Sequence, residues 1–152
     1  MKLNTNSNTY ILIYSSILVV IVAFLLAFIS QSLKSTQDKN VALDKKKQIL
    51  SSLNIRDIDN KTTEELYQSV IEADEIINAN GDVIAAGSAG GENAGFKLNG
   101  GDYKMGKLAL FICNIEGKTK YVVPVFGMGL WGGINGYIAI NDDKETIFGV
   151  YF

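Results

Sequence analysis

Residues 10–29 are twenty consecutive residues without a charge, and this stretch constrains the fold more than any other feature of the sequence. At about 1.5 Å per residue, a helix of that length reaches roughly 30 Å, the thickness of the hydrocarbon core of a bilayer. Fourteen of the twenty are Ile, Leu, Val or Phe, which together favour insertion by roughly 4–8 kcal/mol. The sequence therefore predicts an N-terminal tail over residues 1–9 and a transmembrane helix over residues 10–29.

A cleaved signal peptide is the competing interpretation of this stretch. Its apolar region is usually about 7–15 residues long and ends at an Ala-x-Ala-like site. Here the run is longer and ends Ala27-Phe28-Ile29-Ser30, so we predict a retained single-pass anchor. Lysines lie on both sides of it, and the positive-inside rule therefore does not orient it.

Two short helices are predicted after the anchor. Residues 30–40 are polar and form either a linker or a continuation of the helix into water. Residues 41–53 have the apolar spacing of an amphipathic helix, with Lys45–Lys47 on a solvated face or against anionic headgroups. Thr62 and Glu65 have the spacing of a capping box, which predicts a second helix over residues 63–74.

From Glu75 onward the pattern changes to that of strands. Asn80-Gly81, the dipeptide favoured where both turn residues need positive φ, predicts a hairpin between two apolar pairs. Six glycines in residues 87–102 predict a mobile loop that buries little surface. Four strands follow, over Lys107–Ile115, Tyr121–Phe126, Gly136–Ile140 and Thr146–Phe152. We expect an α+β domain over residues 41–152, with a mainly antiparallel sheet and two short helices.

Composition excludes several classes of function. The sequence has no histidine and one cysteine, so these residues alone cannot form a Ser-His or Cys-His nucleophile, a Cys- or His-ligated metal site or an iron–sulfur cluster. The net charge of −2 makes nucleic acid an unsuitable partner. Cys113, inside an apolar run, is predicted to pack in the core.

The segment Gly127–Gly136 carries the most information about function. Gly127 to Gly132 satisfies G-x-G-x-x-G, but a dinucleotide site needs a helix directly afterwards, and a glycine-rich strand follows instead. The five glycines around Trp131 permit close approach of a strand or a flat ring. Two interpretations remain, a bulged turn packed under Trp131 and a wall for an aromatic ligand.

The same segment also carries a family resemblance. The run Val122–Ile140, with Asp142, Asp143 and Thr146–Phe152, resembles the FMN-binding domain of the C subunit of the sodium-translocating NADH:quinone reductase. The family pattern, Pro-hydrophobic-aromatic-Gly-x-Gly-Leu-Trp leading into a Gly-Tyr strand, is matched nearly position for position. The order of anchor, helices and hairpin agrees as well. The related G subunit of the Rnf electron-transport complex usually lacks Gly-Leu-Trp, so Leu130 and Trp131 favour the quinone reductase.

The resemblance implies an electron-transfer subunit of a membrane complex that couples NADH oxidation by quinone to sodium export. It implies an FMN bound through its phosphate to a threonine, and a flavin site lined by Gly127, Gly129, Leu130, Trp131 and Gly132. The partners would be the membrane and the other subunits of the complex. The domain would lie on the periplasmic face of the bacterial cytoplasmic membrane. No stand-alone catalysis is expected, because the flavin supplies the chemistry.

The sequence departs from the family at its end. The family continues with His-x-x-Glu-Thr-Pro-Gly-Leu-Gly and later with Ser/Thr-Gly-Ala-Thr, whose last threonine carries the flavin, whereas this sequence ends at Phe152. Thr119 and Thr146 lie in the wrong context to replace that threonine. We therefore expect a family member cut short, as a fragment, by a premature stop or by a split reading frame, that does not hold FMN covalently. A Rnf G-type subunit and a cofactor-free structural or assembly subunit remain as alternatives.

Overall fold

The longest element is the helix α1, Asn8–Ser52. The computed structural model describes residues 7–152, and the predicted tail falls largely outside them. An 18-residue window of α1 has a mean hydropathy of 2.9, with none of its residues buried. By length and composition this helix can cross a membrane. The chain divides into two units, and the second is Ala42–Phe152.

The segment between the predicted anchor and the predicted amphipathic helix is itself helical. Of the two alternatives for residues 30–40, the structure therefore shows the continuation of the helix. Within the second unit, the final turns of α1 bury Ile49 and Leu50 completely. The amphipathic pattern is confirmed there, as the last part of α1 and not as a separate element.

The helix α2 spans Asn60–Val70, and the prediction of a helix over residues 63–74 was wrong at both ends. The N-cap is Asp59, whose side chain accepts hydrogen bonds from the N–H groups of Lys61 and Thr62. These bonds hold the pKa of the Asp59 carboxyl below its usual value. An aspartate caps a helix as well as a threonine does, and the helix begins three residues before the predicted start. It ends where residue 71 joins the sheet.

Six strands form one antiparallel sheet, in the order β2-β1-β3-β4-β5-β6. Their bounds are β1 Ile71–Ile77, β2 Val83–Ala85, β3 Leu108–Ile115, β4 Lys118–Met128, β5 Gly133–Asn141 and β6 Ile147–Tyr151. The predicted hairpin around Asn80-Gly81 is confirmed, but only Gly81 has positive φ, at +88°. The side chain of Asn78 closes this turn by accepting from the N–H groups of Asn80 and Asp82. The α+β class, with its mainly antiparallel sheet and short helices, is confirmed.

One face of the sheet packs against the end of α1 and against α2. The buried apolar residues are Ile49, Leu50, Leu53, Tyr67, Val70, Ile71, Ala109, Phe111, Cys113, Val122, Tyr137 and Ala139. Cys113 is in this core, as predicted.

The last strand meets the end of α1 at very close range. A Cβ on Gly149 would lie 2.3 Å from the carbonyl oxygen of Ser52, so only glycine allows this approach. The side-chain amide of Asn54 donates to the carbonyl oxygen of Phe148 at 3.0 Å. These contacts fix β6 to the residues that follow α1.

The segment over residues 87–102, predicted as a mobile loop that buries little surface, contains regular structure. A 3₁₀ turn occupies Gly95–Lys97, and a short helix, α3, spans Gly100–Lys104. The segment is ordered by Asp74, a fully buried carboxylate on β1. Asp74 accepts from the N–H groups of Ser88 at 3.3 Å, Ala94 at 2.6 Å and Phe96 at 3.1 Å.

Two lysines of α1 also hold this glycine-rich segment. Lys46 pairs with Glu92 at 2.7 Å and with Glu64 of α2 at 3.0 Å. Burial alone would lower the pKa of Lys46, but its two carboxylate partners raise it above the usual value. Lys45 donates to the carbonyl oxygen of Phe96, and its ammonium group lies 4.7 Å from the centre of that ring.

Candidate functional site

The five candidate site residues lie together at the end of the β4–β5 hairpin. The last cross-strand pair between β3 and β4 is Phe111 with Val122, whereas β4 and β5 pair as far as Met128 with Gly133. A two-stranded ribbon, made of residues 125–128 and 133–136, therefore extends beyond the part of the hairpin that pairs with β3 and β6. At about 3.4 Å per residue, this ribbon is roughly 14 Å long. We call this part the ribbon. Gly129–Gly132 form its tip, which a hydrogen bond from the N–H of Gly129 to the carbonyl oxygen of Gly132 closes at 2.7 Å.

The tip presents large apolar side chains to solvent. Trp131 is 97% exposed, Leu130 91% and Met128 86%. Within residues 7–152 Trp131 packs against no other layer, which contradicts the interpretation of a bulged turn packed under Trp131. The interpretation of a wall for an aromatic ligand stays a prediction.

One glycine of this segment is explained by a ring of the chain itself. Gly136 lies opposite Val125 in the ribbon. A Cβ at this position would lie 2.4 Å from the carbonyl oxygen of Tyr151 and 2.5 Å from the ring of Phe152. The close approach of a flat ring, which the sequence suggested for a ligand, is made at Gly136 by Phe152.

A short helix supports the base of the ribbon on one side. The rings of Phe126 and Tyr103, which belongs to α3, have centroids 4.6 Å apart. Burial, with a smaller effect from Asp102, raises the pKa of Tyr103 to about 12. Tyr103 is therefore a neutral, packed side chain at physiological pH.

The chemistry of the site is limited by its lack of charge. The sequence has no Asp, Glu, Lys or Arg between Lys120 and Asp142. The side chains of the ribbon and the tip therefore supply no carboxylate or cation for acid–base chemistry or for pairing with a phosphate. What the tip offers is the indole face of Trp131, the side chain of Leu130 and the bare backbone of Gly129 and Gly132.

The structure also bears on two sequence expectations near the site. No helix follows the tip within the described residues, because β5 begins at Gly133, and the rejection of a dinucleotide fold is confirmed. Thr119 lies nine residues from Met128 along β4, which is about 30 Å at the usual rise. Thr146 bonds to Asp143 in the turn before β6. Both threonines therefore lie away from the tip.

Other parts of the domain are weaker candidates for a functional site. An open depression of about 480 Å³ next to the glycine-rich segment is lined by Gln68, Ala89, Gly90, Glu92 and Asn93. In residues 7–152, no group of three or more His, Cys, Asp or Glu side chains is arranged to hold a metal. Burial raises the pKa of Cys113 far above its usual value, so this thiol is inert as well as inaccessible.

The fold and site define a class: a small α+β domain, continuous with a helix that can span a membrane, that displays an uncharged Gly-Leu-Trp tip. The comparisons with known proteins identify particular relatives. The chain is 25% identical to the C subunit of the Na(+)-translocating NADH-quinone reductase of Haemophilus ducreyi, over 99% of this chain and 64% of the relative. A crystal structure of the C subunit of the Na(+)-translocating NADH-quinone reductase from Parabacteroides distasonis superposes with a TM-score of 0.68 and 32% identity.

These likenesses confirm the resemblance drawn from the Gly-Leu-Trp segment. The structural match covers 78% of this chain and 56% of the Parabacteroides chain. The chain thus spans less than two thirds of the length of either relative. A scan against models of protein families found no match.

Sequence reasoning missed Asp74 and the extension of the ribbon. Asp74 looks like any polar residue of a strand, and its role depends on partners 14 to 22 residues later. The ribbon did leave a signal, since the twenty-one residues 121–141 carry no charge.

Proposed function

We propose that this chain is a membrane-anchored subunit of a sodium-translocating NADH:quinone reductase, with its tip forming one wall of a flavin site. The single observation that carries the proposal is the exposed Gly-Leu-Trp tip, in a chain similar in sequence to one protein, and in fold to another, that are named as the C subunit of that enzyme. The chain would insert through α1 into the bacterial cytoplasmic membrane, with its domain on the periplasmic face. Its partners would be the other subunits of the complex.

The residues of the tip fit the ring of FMN better than they fit its phosphate. An exposed indole can stack on an isoalloxazine ring, and Gly127, Gly129 and Gly132 leave the backbone open to a flat group. Leu130 would shield one edge of the ring from water. The segment 121–141 supplies no cation for a phosphate. When bound, the flavin would supply one- and two-electron chemistry, and these residues would position and shield it.

Flavin binding is tested on the full chain in detergent micelles. Trp131 is the sole tryptophan, so its emission reports on the tip alone. Addition of FMN should quench this emission and the flavin emission together, with saturation. Trp131→Ala should abolish saturable quenching of the flavin, and Trp131→Phe should retain part of it. Ile147→Ala, at an exposed position on β6, is the matched control and should behave as the unchanged chain.

Partner binding needs a separate test. The tagged full chain, expressed with the other subunits of a sodium-translocating NADH:quinone reductase, should copurify with them from solubilised membranes. If FMN quenches the emission without saturation but the chain still copurifies with the other subunits, the flavin site is rejected and membership of the complex is retained. Loss of both would reject the whole proposal.

A cofactor-free structural or assembly subunit is the second candidate. The face of the sheet opposite the core carries Ile112, Val123, Ile138 and Ile140, all only half-buried and none in the core cluster. An apolar sheet face of this kind suits contact with another polypeptide. Copurification without any flavin response selects this candidate. A Rnf G-type subunit is disfavoured, since both relatives are named as the C subunit of the quinone reductase.

A further inference from the structure

The chain contains three Asn-Gly dipeptides: Asn80-Gly81, Asn99-Gly100 and Asn135-Gly136. In such a dipeptide the backbone nitrogen of the glycine can attack the asparagine side chain, because glycine has no Cβ to shield that nitrogen. The attack closes a five-membered ring within the chain, so the reacting atoms are never far apart. All three asparagines are exposed to solvent. Sequence and exposure therefore do not distinguish them, and the structure around each one decides which can react.

Asn99 is held by the helix that it caps. Its side-chain oxygen accepts from the N–H groups of Gly101 at 2.8 Å and Asp102 at 3.3 Å. Its own N–H donates to the side chain of Asp102 at 3.1 Å. The side-chain amide has to leave this capping box before the nitrogen of Gly100 can attack it, so the cap protects Asn99.

Asn135 is held by the strands around it. It pairs with Phe126 across the ribbon, and the glycine that follows it is buried. A Cβ on Gly136 would lie 2.4 Å from the carbonyl oxygen of Tyr151 and 2.5 Å from the ring of Phe152. Ring closure requires the backbone at Asn135 to turn out of its extended conformation, and these close neighbours oppose that movement.

Asn80 lies in the turn between β1 and β2, where its side chain is unrestrained. The hydrogen bonds of the turn are made by Asn78 and by the backbone, and within residues 7–152 none holds the side chain of Asn80. The N–H of Gly81 donates to the carbonyl oxygen of Asn78 at 3.0 Å, and this bond has to open before the nitrogen can attack. A Cβ on Gly81 would meet no atom within 4 Å, so the space around the reacting atoms is open.

The hairpin that carries Asn80 opens at low cost. β2 is three residues long and lies at the edge of the sheet, beside β1. Short edge elements with exposed backbone hydrogen bonds open locally far more often than a whole domain unfolds. β1 is also paired with β3 along its length, so the turn can move without disturbing the core.

We propose that Asn80 is a site of spontaneous deamidation in the folded protein, and that Asn99 and Asn135 are protected from this reaction. The nitrogen of Gly81, after losing its proton to base in the solvent, bonds to Cγ of Asn80, and the side-chain nitrogen leaves as ammonia. Water then opens the cyclic imide at one of its two carbonyl carbons, which gives an aspartyl or an isoaspartyl residue. Water is the only co-reactant, and no electrons are exchanged. The inference is independent of the flavin and of the membrane complex.

The product differs from asparagine in charge and in backbone geometry. The new carboxylate lies near Asp82 in sequence, whose side chain accepts from that of Asn78 at 2.9 Å, and like charges repel. The isoaspartyl form also adds one carbon to the backbone of the turn. We expect the modified chain to stay folded, with β2 loosened at the edge of the sheet.

Peptide mapping by mass spectrometry tests the proposal on the full chain in detergent micelles. The protein is kept in mildly alkaline buffer at physiological temperature, and deamidation at the three dipeptides is followed over time. We expect Asn80 to react roughly tenfold faster than Asn99 or Asn135, about the protection that one capping interaction gives. The same chain in urea is the control, and there the three sites should react at similar rates.

Two results of this experiment would overturn the proposal. One is an equal rate at Asn80 and at either other asparagine in the folded chain. The other is the absence of reaction at Asn80 in the folded chain when the chain in urea reacts.

A matched pair of variants tests the assignment by a second readout, the release of ammonia from the folded chain. Asn80→Gln lengthens the side chain so that a five-membered ring no longer forms, and it should remove the fast phase of release. Near-ultraviolet circular dichroism should stay unchanged, because the position is an exposed turn. Asn99→Gln is the control and should leave the fast phase as it is. A fast phase that persists in Asn80→Gln would place the reaction elsewhere and overturn the proposal.

Discussion

At the scale of single residues, Asp74 organises more of the domain than any residue singled out from the sequence. A buried carboxylate is costly unless its oxygens are fully used. Here three backbone N–H groups of the glycine-rich segment donate to it. The segment in turn needs Asp74, because its own side chains bury little surface. Neither the role of Asp74 nor the order of the glycine-rich segment can be recognised from its own local sequence, which is why composition predicted a mobile loop.

Replacing Asp74 should destabilise the domain. Asp74→Asn keeps the shape but replaces one acceptor oxygen by an N–H donor, which would face a backbone N–H. We expect a loss of about 2–3 kcal/mol in the free energy of unfolding, measured by chemical denaturation of the full chain in micelles with near-ultraviolet circular dichroism. Asp142→Asn, at an exposed position, is the control and should change little. Equal stability of the two variants would contradict the role given to Asp74.

At the scale of elements, the sequence predicted what local patterns determine. The apolar anchor, the strands and the Asn80-Gly81 hairpin each have a period or a turn signal that does not depend on distant residues. One error is local, because the capping-box pattern at Thr62 set the predicted start of α2, whereas the cap is Asp59. The other lies where tertiary contacts decide, because the glycine-rich segment is ordered by Asp74. For the candidate site, the sequence identified the residues of the tip but not their exposure, which follows from where β3 and β6 stop pairing with the hairpin.

Two adjacent glycines of the glycine-rich segment should respond differently to alanine. Both have positive φ, +86° at Gly90 and +59° at Gly91, which costs an alanine about 1–2 kcal/mol. At Gly91 the Cβ would also lie 2.3 Å from Cγ2 of Ile71, whereas at Gly90 the nearest atom is 3.8 Å away. Gly91→Ala should therefore lose roughly 1–3 kcal/mol more than Gly90→Ala.

Thermal unfolding of the two alanine variants side by side checks this difference. A larger loss at Gly90 would show that the segment does not pack on β1 as described.

At the scale of the whole molecule, the proposed function makes a testable statement about the side of the membrane on which the domain lies. Lysines on both sides of the anchor do not decide it, and the proposal places the domain on the periplasmic face. The native cysteine gives no background in a labelling experiment, since Cys113 is fully buried and burial raises its pKa. A single introduced thiol can therefore report the topology of the intact chain.

Asp142→Cys introduces this thiol at an exposed turn between β5 and β6. A membrane-impermeant maleimide should label this variant in intact spheroplasts as fully as in lysed ones. The unchanged chain should remain unlabelled in both. Labelling only after lysis would place the domain on the cytoplasmic face.

The contact between Gly149 and Ser52 also sets an order of events during synthesis. The bond from Asn54 to Phe148 joins residues 94 positions apart, so the sheet cannot close on the end of α1 until Phe148 and Gly149 have been translated. The apolar stretch leaves the ribosome long before β6 does. It can enter the bilayer while its domain is still a nascent chain, so that folding is completed by a polypeptide already held at the membrane.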